Sequence, residues 1–198
     1  MNNRMRDDQA YDPELLARLH QGDEEAFREL YSAYRARLFS FLLRLSGRRD
    51  LAEDLCQEVW LRLVTRPPAL NPGMPLGPWL YRVARNLYIS YLRSREYDAT
   101  RTAELTAIQF QPSLQPSPWE ELAGNETQRR LQIALMQLPL PYRECLLLVA
   151  GAGLTPQEAA EVLDLPAPTF RKRLSRAREM LAKRMTLRIT CENEVGQC

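Results

Sequence analysis

Two runs of helical period joined by three residues constrain this chain more than any other feature. Thr155-Pro156-Gln157-Glu158 opens the first with a capping threonine, a proline at the first helical position and a glutamate at the third. Ala159, Ala160, Val162 and Leu163 supply its apolar residues, and Asp164-Leu165-Pro166 makes a tight turn. The second run spans about Ala167 to Met185, with Phe170, Leu174, Ala177 and Leu181 as its buried stripe. Arg171, Lys172, Arg173, Ser175, Arg176 and Arg178 are left to face outward. Two helices with a short turn between them, the second one basic, predict a helix-turn-helix whose second helix enters a major groove. Arginine can pair bidentately with guanine while other arginines clamp phosphates. The alternative is an ordinary basic surface helix, but cap, turn spacing and charge placement all agree on the first reading.

A second basic segment lies at Trp79–Arg95, W-L-Y-R-V-A-R-N-L-Y-I-S-Y-L-R-S-R. At helical period Leu80, Val83, Ala84, Leu87 and Tyr91 share one face. Arg82, Arg85, Asn86 and Arg93 fall on other faces, with Tyr81 and Tyr88 among them. Arginines with aromatics suit a nucleic-acid backbone and unstacked bases. A solvated basic face, with the tyrosines covering a core edge, is the competing reading.

The rest of the first half is helical too. Asp12-Pro13 opens a short helix that Gly22 stops. Asp23 caps a longer helix carrying Phe27, Leu30, Tyr31, Tyr34, Leu38, Phe41, Leu42 and Leu45, and Gly47 ends it. Asp50 and Glu53 have the spacing of a capping box for a third helix reaching about Val64, with Leu51, Leu55, Val59 and Leu63 buried. Asp54, Gln57 and Glu58 lie on another face, which is either solvated or docks a basic partner. Residues 65–78 hold five prolines and two glycines, so a stiff loop is expected there.

From 96 to 124 the pattern is lost, and a linker is expected. Residues 96–130 carry three basic against six acidic groups, whereas 171–188 carry eight basic against one acidic. Net charge for the chain is only +2, so the segregation is the informative quantity. Helix returns near Asn125 and reaches Leu138, where Pro139 and Pro141 break it; Tyr142–Ala150 follows as a short apolar helix. The tail, 187–198, has no helical pattern. Its Cys191 and Cys198 allow a redox or metal-sensing pair or a frayed end.

With no strand-like alternation, the chain is expected to be all-α: two small helical domains, 12–95 and 125–186, joined by an extended linker, 96–124. The polar N-terminus reads as lacking a signal peptide, and no run of about 18 apolar residues could span a membrane. A cytoplasmic protein with reduced thiols is expected. The four cysteines have no Cys-x-x-Cys spacing and His20 is the only histidine, so no metal and no cofactor is expected. A glycine-rich phosphate loop and a nucleophile with a paired base are both missing from the sequence, which argues against an enzyme. A plain helix-turn-helix repressor or activator remains a rival.

The motifs together resemble a family. Asp23–Tyr34 (D-E-E-A-F-R-E-L-Y-S-A-Y), Ala52–Trp60 (A-E-D-L-C-Q-E-V-W) and Trp79–Asn86 (W-L-Y-R-V-A-R-N) look like region 2 of extracytoplasmic-function sigma factors of the sigma-70 type. Leu138–Leu148 (L-P-L-P-Y-R-E-C-L-L-L), Leu154–Leu163 (L-T-P-Q-E-A-A-E-V-L) and Arg171–Arg178 (R-K-R-L-S-R-A-R) look like its region 4. The resemblance implies a region 2 bundle and a region 4 helix-turn-helix domain. It implies docking on the clamp helices of the largest subunit of core RNA polymerase through Asp54, Gln57, Glu58 and Leu61, with a second contact at the flap. It implies that Trp79, Tyr81, Arg82, Arg85, Asn86 and Tyr88, with the proline-rich loop, melt and read a −10 element. It implies that Thr169, Arg171, Lys172, Ser175, Arg176 and Arg178 read a −35 element. It also implies control by an anti-sigma factor. Ser90, Ala160, Lys172 and the proline-rich loop depart from the family pattern and bear on promoter preference.

Overall fold

A computed structural model of the protein describes residues 14–68, 75–101 and 126–195. The described residues are helical and contain no strand. The chain divides into two compact units, Met1–Ser113 and Leu114–Cys198.

In the first unit α1 (residues 14–20) leads through Gly22, whose φ is 80°, into α2 (Glu24–Ser46). Asp23 caps α2 as its position predicts, accepting from the backbone N–H groups of Glu25 (2.8 Å) and Ala26 (3.3 Å). Gly47 ends it at φ 68° and donates to the Leu43 carbonyl. After this two-residue corner α3 (Arg49–Thr65) folds back along α2. Phe27 near the start of α2 meets Trp60 near the end of α3, and Arg49 lies over the Phe39 ring. α4 (Leu76–Arg101) packs on both. Leu30, Leu38, Phe41, Leu42, Leu45, Val59, Leu63, Leu76 and Leu80 are fully buried between the three helices. Each such side chain contributes about 1.5–3 kcal/mol by leaving water.

In the second unit α5 (Glu126–Met136) is followed by α6 (Leu140–Leu146), a single π turn (Leu147–Gly151), α7 (Pro156–Val162) and α8 (Ala167–Val195). Leu138, Leu148 and Phe170 are the largest fully buried side chains of its core, which also buries Ala134, Cys145, Ala159 and Leu174. α6, α7 and α5 all pack on α8.

Several element ends differ from those expected. Asp50 and Glu53 do not cap α3: Arg48 is the N-cap residue and no side chain caps that end. Asp50 instead pairs with Arg48, and Glu53 with Arg49, because the corner after Gly47 starts the helix two residues earlier. α4 begins at Leu76 rather than Trp79. Pro78 is tolerated in its first turn, where a backbone N–H would have no intrahelical partner. Pro141 is accommodated in the same way near the start of α6. At its other end α4 runs on to Arg101, so the first residues of the expected linker are helical. The rest of that linker lies outside the described residues. The tail expectation is also corrected: α8 continues to Val195, since neither glycine nor proline interrupts the chain between Pro168 and Gly196.

Candidate nucleic-acid interface

The helix-turn-helix is built as the sequence dictates. Thr155 Oγ1 accepts from the Glu158 N–H at 3.2 Å, and Glu158 Oε2 accepts from the Thr155 N–H at 2.8 Å, closing the capping box. Asp164 takes the left-handed conformation, φ 54°, which Asp tolerates better than most residues. Its neighbour Leu165 donates to the Ala160 carbonyl at 2.9 Å, so the end of α7 is satisfied before the chain turns into α8. Phe170 is fully buried, with Leu174 and Ala177 beside it, and this fixes the rotation of α8. Thr169, Arg171, Lys172, Ser175, Arg176 and Arg178 are therefore all exposed, spread along one outer arc of about two and a half turns. Ser175 Oγ lies 3.4 Å from Glu179, the one acid on this stretch.

α4 presents a different face from the one expected. Tyr81 and Tyr88 are 2% and 4% exposed, so both belong to the core and neither offers a ring to a base. Tyr81 lies edge-on to Phe41 with centroids 5.2 Å apart, and burial pushes its phenol well above the ordinary tyrosine range. The physical reason is that α4 packs on two helices at once. Its buried arc is correspondingly wide, comprising Leu76, Leu80, Tyr81, Ala84 and Tyr88, while Val83, Leu87 and Tyr91 are only half-buried. The remaining expected residues stay accessible. Asn86 is exposed, Trp79, Arg82 and Arg85 are half-buried, and Arg85 Nη1 approaches Asn86 Oδ1 at 3.4 Å. The proline-rich loop is described only at 65–68 and from residue 75 on.

On α3, Asp54 and Gln57 are exposed and Glu58 is half-buried, accepting from Arg62 Nε at 2.9 Å. Leu61 shares this face, 57% exposed, and Val64 one turn on is 53% exposed. Two large apolar side chains left in water beside two carboxylates and an amide make a surface suited to docking rather than to simple solvation. Sequence reasoning missed Val64, because periodicity places it at the margin of the buried stripe. His20 is exposed, with Nδ1 donating to the Leu16 carbonyl at 2.7 Å. Among the described residues no group of three or more His, Cys, Asp or Glu could hold a metal, and no helix is long and apolar enough to cross a membrane.

Comparison with known proteins agrees with this geometry. The family model for sigma-70 region 2 matches residues 30–97, and that for sigma-70 region 4 matches 128–181. The extracytoplasmic-function (ECF) RNA polymerase sigma factor SigM of Bacillus subtilis is 32% identical over 153 residues, covering 77% of this chain and 91% of the relative. SigW of the same organism is 26% identical over 176 residues, covering 86% and 94%. Among solved structures, the sigma factor RpoE in complex with the anti-sigma factor NepR from Bartonella quintana matches with a TM-score of 0.69 at 24% identity, covering 81% of this chain and 96% of that one.

Proposed function

The chain belongs to the extracytoplasmic-function group of the sigma-70 family, and from that premise we propose how its residues divide the work of starting transcription. As an RNA polymerase sigma factor it joins core polymerase and directs it to promoters. The first unit carries polymerase docking and −10 reading, within 12–95. The second, within 125–186, carries −35 reading. The face of α3 bearing Asp54, Gln57, Glu58 and Leu61 docks on the clamp helices, with Val64 extending the apolar contact. On α4, Trp79, Arg82, Arg85 and Asn86 face the opened −10 strand, Trp79 being the aromatic of that set left partly at the surface. Tyr81 and Tyr88 support that face from behind.

Thr169, Arg171, Lys172, Ser175, Arg176 and Arg178 of α8 read the −35 major groove. The observation that carries this assignment is the exposure of all six on one arc of a helix whose rotation Phe170 fixes. Melting costs a few kcal/mol per unstacked base, which pockets and charge on α4 must offset. Joining the two units in one chain raises the effective concentration of the second at its site once the first is bound. The protein acts in the cytoplasm by binding and not by catalysis. The solved complex of the relative RpoE with an anti-sigma factor supports control of this chain by a partner of the same kind.

Charge reversal at Asp54 and Glu58 together tests the docking assignment. The double variant is expected to keep its helical circular dichroism and to lose co-purification with core polymerase. Retention of core binding would refute the assignment.

A further inference from the structure

We propose that Arg48 and Tyr91 are positioning residues that fix the aim of the DNA face of α4 relative to the docking helix α3. This deepens the reading above and rests on it. Arg48 precedes α3 in an extended conformation, φ −131° and ψ 124°. Its backbone is held on both sides. Gly47 is locked in the left-handed cap of α2, and Ser46, 1% exposed, donates from Oγ to the Leu42 carbonyl at 2.7 Å and accepts from the Arg48 N–H at 3.2 Å. The guanidinium is held as well: Nε donates to Asp50 Oδ1 at 3.2 Å and Nη2 pairs with Asp50 Oδ2. A planar fork gripped along one edge leaves its other donors with a fixed direction. Nη1 uses that direction to donate to the Tyr91 hydroxyl at 2.9 Å, across 43 residues of sequence.

The consequence follows from what else holds α4. Leu80, Tyr81 and Ala84 anchor it by apolar burial, which is strong but has no preferred direction. That packing sets the rotation of α4, and a directional bond adds a finer restraint to it. The bond from Arg48 is directional and ends on a residue one turn and a half beyond Asn86. At its other end it springs from the N-cap residue of α3, about 9 Å along that helix from Asp54. A polymerase seated on α3 is thereby tied to the orientation of Arg85 and Asn86 through one hydrogen bond at the corner of the bundle.

The experiment uses the full chain assembled with core polymerase, comparing Tyr91→Phe, Arg48→Met and the double variant. Tyr91→Phe removes one oxygen and keeps the half-buried ring. Three quantities are measured: core affinity, thermal unfolding of the free chain, and −10 opening followed by 2-aminopurine fluorescence in the promoter. Each single variant is expected to lose open complex about fivefold to tenfold, the scale of one intramolecular hydrogen bond. Core affinity stays within twofold of wild type, and the double variant is no worse than the weaker single, because both remove the same bond. Asn86→Ala, on the same templates, separates the two levels of the argument. If Asn86→Ala loses opening while Tyr91→Phe and Arg48→Met open normally, the positioning role is overturned and the −10 face stands. If Asn86→Ala has no effect, the −10 assignment itself fails. Loss that follows core affinity or unfolding temperature, or that adds in the double variant, overturns the positioning role.

Discussion

Replacing Arg143 with methionine should loosen the whole second unit. Arg143 is 8% exposed, and its guanidinium lies under the end of α5. Nε donates to the Leu135 carbonyl at 3.0 Å, and Nη2 donates to the carbonyls of Met136 at 2.7 Å and Leu138 at 3.0 Å. Leu135 and Met136 belong to the carbonyls that a helix C-terminus leaves without intrahelical partners, and Leu138 lies in the turn that follows. Methionine has a similar reach and no donor. The buried Leu138 carbonyl would cost about 1–2 kcal/mol when left unsatisfied, while Leu135, whose carbonyl still accepts from the Leu138 N–H at 3.0 Å, and Met136 would each lose a hydrogen bond worth about 0.5–1.5 kcal/mol. Relief from burying a guanidinium offsets part of this, giving a net loss of about 2–3 kcal/mol. Hydrogen exchange read by mass spectrometry resolves the effect within the chain. Amides of α6 and α8 should exchange about 30- to 150-fold faster, by the tenfold per 1.4 kcal/mol of an opening equilibrium, with α2 and α3 as the internal control. Arg143→Lys, which keeps charge but not the fork, should fall between. Unchanged protection in α6 and α8, or equal loss in α2 and α3, would refute the claim that this clasp holds the −35-reading unit together.

Arg171→Ala and Arg176→Ala should each weaken −35 binding by about 1–3 kcal/mol and relax selectivity at one base pair, measured by holoenzyme binding to promoters varied at each position; equal loss on every sequence would assign phosphate contacts instead. Acid should destabilise the first unit. Asp23 and Asp50 are held below the ordinary carboxylate range, chiefly by hydrogen bonds from Arg18 and Arg48 respectively. Their folded values lie below their unfolded ones, so their contribution is complete above the unfolded value and is lost as pH falls through the folded one. Melting temperatures taken from pH 6 to pH 3 should fall less steeply in the Asp23→Asn and Asp50→Asn variants than in wild type. Burial pushes the Cys56 thiol up to about 12, so the folded chain keeps a proton that the unfolded chain gives up near 9. Stability should decline as pH rises through that interval, and at pH 7.5 a thiol reagent should reach Cys56 only after unfolding, as peptide mapping would show.

Where local chemistry decides a feature, the sequence announced it. The Thr155–Glu158 box, the Asp23 cap, the Gly47 stop and the Asp164 turn each depend on a few adjacent residues, and all four are present as expected. Asp50 and Glu53 have the same capping spacing and do not cap, because the corner built by Ser46 and Gly47 starts α3 two residues earlier. The rotation of α8 was legible from a single stripe, since Phe170, Leu174 and Ala177 dominate one side. That of α4 was not. A helix gripped by two neighbours buries a wide arc, and its apolar residues do not say how far that arc extends, so Tyr81 and Tyr88 read as surface rings and are core. Arg143 was invisible for a related reason: an arginine in an apolar helix reads as a surface charge until the three carbonyls it serves are brought to it by the fold. The link between Arg48 and Tyr91 joins residues too far apart for any local pattern to pair.

Run-off transcription with purified bacterial core polymerase on a genomic promoter library, with and without this protein, tests the central claim most directly. Discrete start sites that arise only when the protein is added, sharing spaced −35 and −10 elements, are the predicted result. Duplex DNA binding by the protein alone, with no new start sites in the presence of core polymerase, would contradict it.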